Sequence, residues 1–101
     1  MAFVKAGAIA ELPPGKIREY QVNGKAIAIA NVGGKCFAIN GVCLHQGGPL
    51  GDGELSGKMV ICPWHAWEYD VTTGKLAANP SVGVESYPAE IREGDIYVDI
   101  G

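Results

Sequence analysis

With 101 residues the chain has the length of one domain, and 48% hydrophobic against 19% charged residues leaves material for a core and too little charge for a disordered segment. Eight Lys and Arg against eleven Asp and Glu, a net charge of −3, exclude a surface built to neutralise phosphates, so nucleic acid is not an expected partner. The longest uncharged apolar run, residues 26–30, falls far short of the roughly 18 residues a membrane span requires, and Met-Ala-Phe-Val-Lys does not open as a signal peptide, so a cytoplasmic protein without membrane contact is expected.

Fifteen Gly and six Pro cut the sequence into short pieces, the longest free of both being the ten residues 64–73. A mean α-helix runs to about 11–12 residues, so the pattern predicts an all-β chain. Short apolar, β-rich runs predict strands at 17–22, 25–32 and 35–40, joined through Asn23-Gly24 and Gly33-Gly34. Such two-residue turns make a three-strand meander. From Asn40 to Lys58 the sequence is rich in glycine and has no β period, and a loop of that length in a small domain has a functional reason. Strands follow at 59–62 and 67–71, with Thr72-Thr73-Gly74 as a turn. A hairpin of 84–92 and 95–100 through Glu93-Gly94 closes the sheet.

Three cysteines are an odd number, which fits ligands or buried thiols better than a disulfide framework. Both histidines follow a cysteine closely, in Cys43-Leu44-His45 and Cys62-Pro63-Trp64-His65, with sixteen residues between the pairs. Zinc fingers usually supply like ligands from each knuckle, whereas here each loop supplies one thiolate and one imidazole. That order suits a binuclear [2Fe–2S] centre with both Cys on one iron and both His on the other. A structural zinc site in an interaction module is the bland alternative.

Cys43-Leu44-His45-Gln46-Gly47-Gly48-Pro49-Leu50 and Cys62-Pro63-Trp64-His65-Ala66-Trp67-Glu68-Tyr69-Asp70 resemble the two cluster loops of the Rieske family. The C-terminal Tyr87-Pro88-Ala89-Glu90 and Gly94-Asp95-Ile96-Tyr97-Val98 are similar to the end of small bacterial Rieske ferredoxins, so the likeness spans nearly the whole chain. The resemblance implies one [2Fe–2S] cluster per chain, with Cys43 and Cys62 on one iron and His45 and His65 on the other. It also implies a single Rieske domain: an antiparallel β-sandwich or barrel base from residues 1–40 and 71–101, and an inserted cluster-binding subdomain, residues 41–70. A third loop carrying Pro80 would cover the cluster. The implied role is that of a one-electron carrier rather than an enzyme, since no ligands remain for a mononuclear iron. Its redox partners would be a flavin-dependent NAD(P)H reductase and the terminal oxygenase of an aromatic-ring dioxygenase or monooxygenase system. The small subunit of an assimilatory nitrite reductase is the alternative within the same fold.

High-potential members of the family carry an extra Cys in each loop, joined as a disulfide, and a Ser hydroxyl against the cluster. Gly48, Trp64 and Trp67 hold those places here, so the resemblance implies the low-potential ferredoxin type. Ala66 replaces the glycine usual after the second His. Cys36 reads as a buried small hydrophobe. Trp64 reads equally as a docking residue and as packing, and Tyr69 either reaches a cluster sulfur or fills the core.

Overall fold

A computed structural model describes residues 3–43, 48–64 and 66–100. Among them twelve strands run in chain order: β1 Val4–Ala8, β2 Ile17–Val22, β3 Lys25–Val32, β4 Lys35–Asn40, β5 Glu54–Ser56, β6 Met59–Ile61, β7 Glu68–Asp70, β8 Lys75–Leu76, β9 Asn79–Gly83, β10 Ser86–Tyr87, β11 Ala89–Arg92 and β12 Asp95–Val98. They form three antiparallel sheets, ordered β1-β12-β11, β10-β4-β3-β2 and β5-β6-β7-β8-β9. The described residues contain no α-helix, and none of their helical turns is long and apolar enough to cross a membrane. This is the expected all-β architecture.

The meander β2-β3-β4 has the predicted bounds. Asn23 and Gly24 have φ of 50° and 80°, and Gly33 and Gly34 of 63° and 96°, the left-handed pair that matches a tight hairpin to the twist of its strands. The C-terminal hairpin also turns at Glu93-Gly94, but the run 84–92 is two strands rather than one. Pro88 divides it: β10 pairs with β4, whereas β11 pairs with β12 in another sheet. A proline has no N–H for a ladder, so the chain changes sheets at the residue where pairing would fail. Three further stretches depart from expectation. β1 pairs with β12 although its register shifts between Lys5 and Gly7, the short β5 lies within the glycine-rich run 41–58, and β8 with β9 extends the sheet beyond Asp70.

The central sheet is buried on both faces, and β3 sorts its side chains by size. Ile27 and Ile29 point into one core with Leu12, Val22, Ile96 and Val98; Ala28 and Ala30 point into a second with Leu50, Val60, Tyr69 and Val71. Successive strand residues face opposite sides, so the Ala-Ile alternation read along the sequence becomes a bulky base-side face and a shallow opposite face. Against the shallow face lie the sheet β5–β9 and the 3₁₀ turn Leu50–Asp52. Gly51 allows that turn to seat on β2, since a Cβ there would lie 2.5 Å from the Glu19 backbone nitrogen.

Candidate metal centre

Two loops of the same build meet over the shallow face. The first leaves β4 and is fastened by Gly41 N–H to Ala26 O at 2.9 Å and Leu50 N–H to Gly41 O at 2.9 Å. Within it Cys43 N–H donates to Gly48 O at 2.8 Å and Val42 bridges Pro49. The second loop joins β6 to β7, with Cys62 N–H to Trp67 O at 2.7 Å and Ala66 N–H to Cys62 O at 3.1 Å. Each cysteine thus stands at the foot of a loop, its amide closed onto the returning chain five residues on. In the second loop Ala66 has a φ of 59°, where glycine is at ease and an alanine pays a steric cost.

Both predicted cysteine ligands are 2% exposed and belong to the core on the cluster-loop side. They are free thiols, close enough that Cys43 raises the Cys62 thiol. Burial pushes the Cys62 thiol up, the Trp64 backbone N–H against the sulfur pulls it partly back, and the neighbouring Cys43 thiol adds to the rise. Two adjacent buried sulfurs resist carrying negative charge together unless a cation sits against them, and a ferric centre supplies that charge. The donor set present therefore fits an iron–sulfur group. The predicted ligands His45 and His65 lie outside the described residues.

Tyr69 combines its two sequence readings. Its ring is fully buried, and its hydroxyl lies 3.1 Å from Cys43 Sγ, where an O–H can donate to the sulfur when that is ionised. The strand pairing Tyr69↔Val60 and Tyr69↔Leu76 aims it there. Trp67 packs, partly buried, against the same core, whereas Trp64 remains 47% exposed. Cys36 is buried in the other core, where burial raises its thiol, and takes no part in the site. Pro80 stands in the exposed edge strand β9; the nearby turn residues Ala77 and Ala78 line a cavity of about 320 Å³ with Ala66, Trp67 and Glu68. On the other flank a cleft of about 550 Å³ runs between Lys16, Asp52 and Glu54 to Cys62, Pro63 and Ala66. Sequence reasoning missed both hollows, because their walls bring together loop residues and strand ends that lie far apart along the chain.

A model of the Rieske [2Fe-2S] domain matches residues 2–88. The chain belongs to the Rieske [2Fe-2S] family. Its cofactor is accordingly the Rieske-type [2Fe–2S] cluster. Among curated relatives, the ferredoxin component of the naphthalene 1,2-dioxygenase/salicylate 5-hydroxylase systems of Ralstonia sp is 33% identical over 88% of this chain and 86% of its own length. Among solved structures, a chain in the complex of reduced oxygenase and oxidized ferredoxin in carbazole 1,9a-dioxygenase superposes with a TM-score of 0.84 at 32% identity, covering 95% of this chain and 91% of that one. The Sphingomonas yanoikuyae B1 ferredoxin superposes with a TM-score of 0.88 at 26% identity, over 99% of this chain and 100% of its own. Rieske ferredoxins are thus similar to this chain in sequence, length and fold.

Proposed function

We propose that this Rieske protein is a one-electron carrier that takes electrons from a flavin-dependent NAD(P)H reductase and delivers them to the terminal oxygenase of an aromatic-ring oxygenase system. The observation that carries the reading is the pair of buried, neighbouring thiols at the feet of two matching loops, in a chain whose relatives are ferredoxin components. The cluster, when bound, supplies a one-electron redox couple near the protein surface. In this reading Cys43 and Cys62 hold one iron, and His45 and His65, one in each loop, hold the other. The core around the thiols excludes water from the sulfur side, Tyr69 supports the charge on Cys43, and the chain supplies no bond-making machinery of its own.

The proposed organisation is one domain, with residues 1–40 and 71–101 as base and 41–70 as the cluster-binding segment, whose sheet β8 and β9 continue. A cytoplasmic setting accords with three buried free thiols. The test is the electron paramagnetic resonance spectrum of the dithionite-reduced protein, together with iron and acid-labile sulfide analysis. A rhombic Rieske signal with two irons and two sulfides per chain is expected; stoichiometric zinc without sulfide, in protein made with ample iron, would overturn the reading.

A further inference from the structure

The two loops must be held together whenever the cluster is absent, strained or changing charge, and Gly48 and Trp64 touch across the gap. A Cβ built on Gly48 would fall 2.9 Å from Cys62 Sγ, 3.1 Å from Trp64 Cγ and 3.2 Å from Trp64 Cβ. Position 48 therefore has no room for a side chain, because the Trp64 side chain and the Cys62 sulfur already occupy that space. The same two residues are braced to the site through their backbones. Gly48 O receives the Cys43 N–H, and the Trp64 N–H lies against Cys62 Sγ. Trp64 is 47% exposed, so part of a large aromatic surface is covered, with its Cβ and Cγ on the Gly48 side.

We infer that Trp64 is a positioning residue that clamps the two cluster loops, its side chain laid over Gly48 so that the first loop cannot lift from the second. The inference rests on the proposed ligand set and deepens it. It assigns Trp64 a role in cluster retention, through the closure of loops that carry the ligands, rather than one as a contact for redox partners. Gly48 is its counterpart: while Trp64 stands opposite, any larger residue at 48 displaces the Trp64 side chain and opens the seam beside Cys62.

The geometry supplies its own control. Positions 48 and 64 bring their β-carbons to 3.2 Å, a few tenths of an ångström inside the roughly 3.5–4.5 Å of a disulfide, so with the Trp64 side chain removed a small outward shift of position 48, which also relieves its 2.9 Å approach to Cys62 Sγ, lets a bond between the positions replace the aromatic clamp and be opened at will. The experiment follows release of iron from purified holoprotein to excess chelator in wild type, Trp64→Ala, Trp64→Phe and the double variant Gly48→Cys/Trp64→Cys. The expected result is release roughly tenfold faster from Trp64→Ala, the order of change that losing a half-buried aromatic contact produces. Trp64→Phe should return most of the way to the wild-type rate. The double variant should release slowly when oxidised and fast once its disulfide is reduced. Wild-type release from Trp64→Ala, or a double variant indifferent to reduction, overturns the clamp. So does a Trp64→Ala protein that keeps its cluster normally but exchanges electrons slowly, which would make Trp64 a docking residue. If Trp64→Ala takes up no cluster, the other variants still decide. Wild type lacking two irons and two sulfides would overturn the ligand reading and the clamp with it, whereas normal wild-type content with unchanged release overturns the clamp alone.

Discussion

The two faces of β3 serve different ends. On the base side Ile27 and Ile29 meet Leu12, Val22, Ile96 and Val98, a core of branched aliphatics that depends on nothing but the chain. On the other side Ala28 and Ala30 meet a layer in which Cys43, Cys62 and Tyr69 take the place of aliphatic mass. A sulfur reserved for iron contributes little cohesion until the metal arrives, so the base should fold by itself while the loop layer depends on its cofactor. The difference between Ile and Ala at alternate positions of one strand is the physical division of labour in this protein.

The comparison breaks most visibly at the thiols. Cys43→Ser or Cys62→Ser should abolish the cluster, because a hydroxyl supplies neither the charge nor the soft donor that an iron–sulfur core needs. Cys36→Ser, in the opposite core, should retain it. Iron, sulfide and the visible spectrum check this. Hydrogen exchange on the cluster-free variants should show β2, β3 and β4 still protected and β5 through β8 exchanging faster.

Next in size are the packing changes on β3 itself. Ile29→Ala should cost about 2–5 kcal/mol of global stability by opening the base core, with the cluster spectrum unchanged below the unfolding transition. Ala30→Leu should cost about 1–3 kcal/mol and act in the other direction in space, pushing the loop layer outward and weakening cluster retention first. Denaturant unfolding followed in parallel by far-ultraviolet circular dichroism and cluster absorbance separates the two. Coincident loss of both signals in both variants would erase the distinction between the faces.

A smaller effect tests how far the loop layer tunes the cofactor. The Tyr69 hydroxyl at 3.1 Å from Cys43 Sγ stabilises negative charge on that sulfur, and the reduced state carries one more electron. Tyr69→Phe keeps the buried ring and removes the donor, so the potential should fall by about 60 mV, which for one electron corresponds to a tenfold change in equilibrium and to the net worth of a typical hydrogen bond. Protein-film voltammetry reads it. The low potential that the loops' resemblance implies is thus moderated by a donor: the Ser hydroxyl of high-potential members is replaced by Trp67, while Tyr69 still reaches a sulfur.

The sequence was most legible where local chemistry decides structure. Asn23-Gly24 and Gly33-Gly34 dictate their hairpins whatever surrounds them, so β2, β3 and β4 could be bounded to the residue. The cysteines were legible because ligand chemistry imposes spacing, and the fold does bring Cys43 and Cys62 together across eighteen intervening residues. Strands held by neighbours were not legible. β9, Asn-Pro-Ser-Val-Gly, has almost no β propensity and exists because β8 offers it a ladder; β5 is three residues in a glycine-rich run and is recruited by β6. The split at Pro88 could have been read from the proline alone. That positions 48 and 64 lie opposite one another was implied by the resemblance, whose high-potential members join them by a disulfide; that the Trp64 side chain fills the space a Gly48 side chain would need took three dimensions.

The smallest effect concerns acid. Asp70 ends β7 in the cluster-side sheet; its carboxylate accepts from the Thr72 backbone N–H at 2.9 Å and from the Thr72 hydroxyl at 2.6 Å, and pairs with Lys58 at 3.3 Å. Burial alone pushes its pKa up, but the two Thr72 donors and the Lys58 ammonium outweigh that and hold it below the ordinary carboxylate value. A carboxylate depressed by folding binds protons more readily in the unfolded chain, so its contribution is complete above the unfolded value and is lost as pH falls through the folded one. The turn after β7 should therefore loosen on the acid side of the usual carboxylate range, and in the cluster-side sheet before the base. Asp70→Asn keeps the shape and removes the charge. It should cost about 0.5–1 kcal/mol at neutral pH, the worth of a partly exposed capping carboxylate, and should flatten that part of the acid profile. Thermal unfolding from neutral to acid pH, compared between wild type and Asp70→Asn, reads both effects, and parallel profiles would show that the loop layer's acid sensitivity lies elsewhere than Asp70.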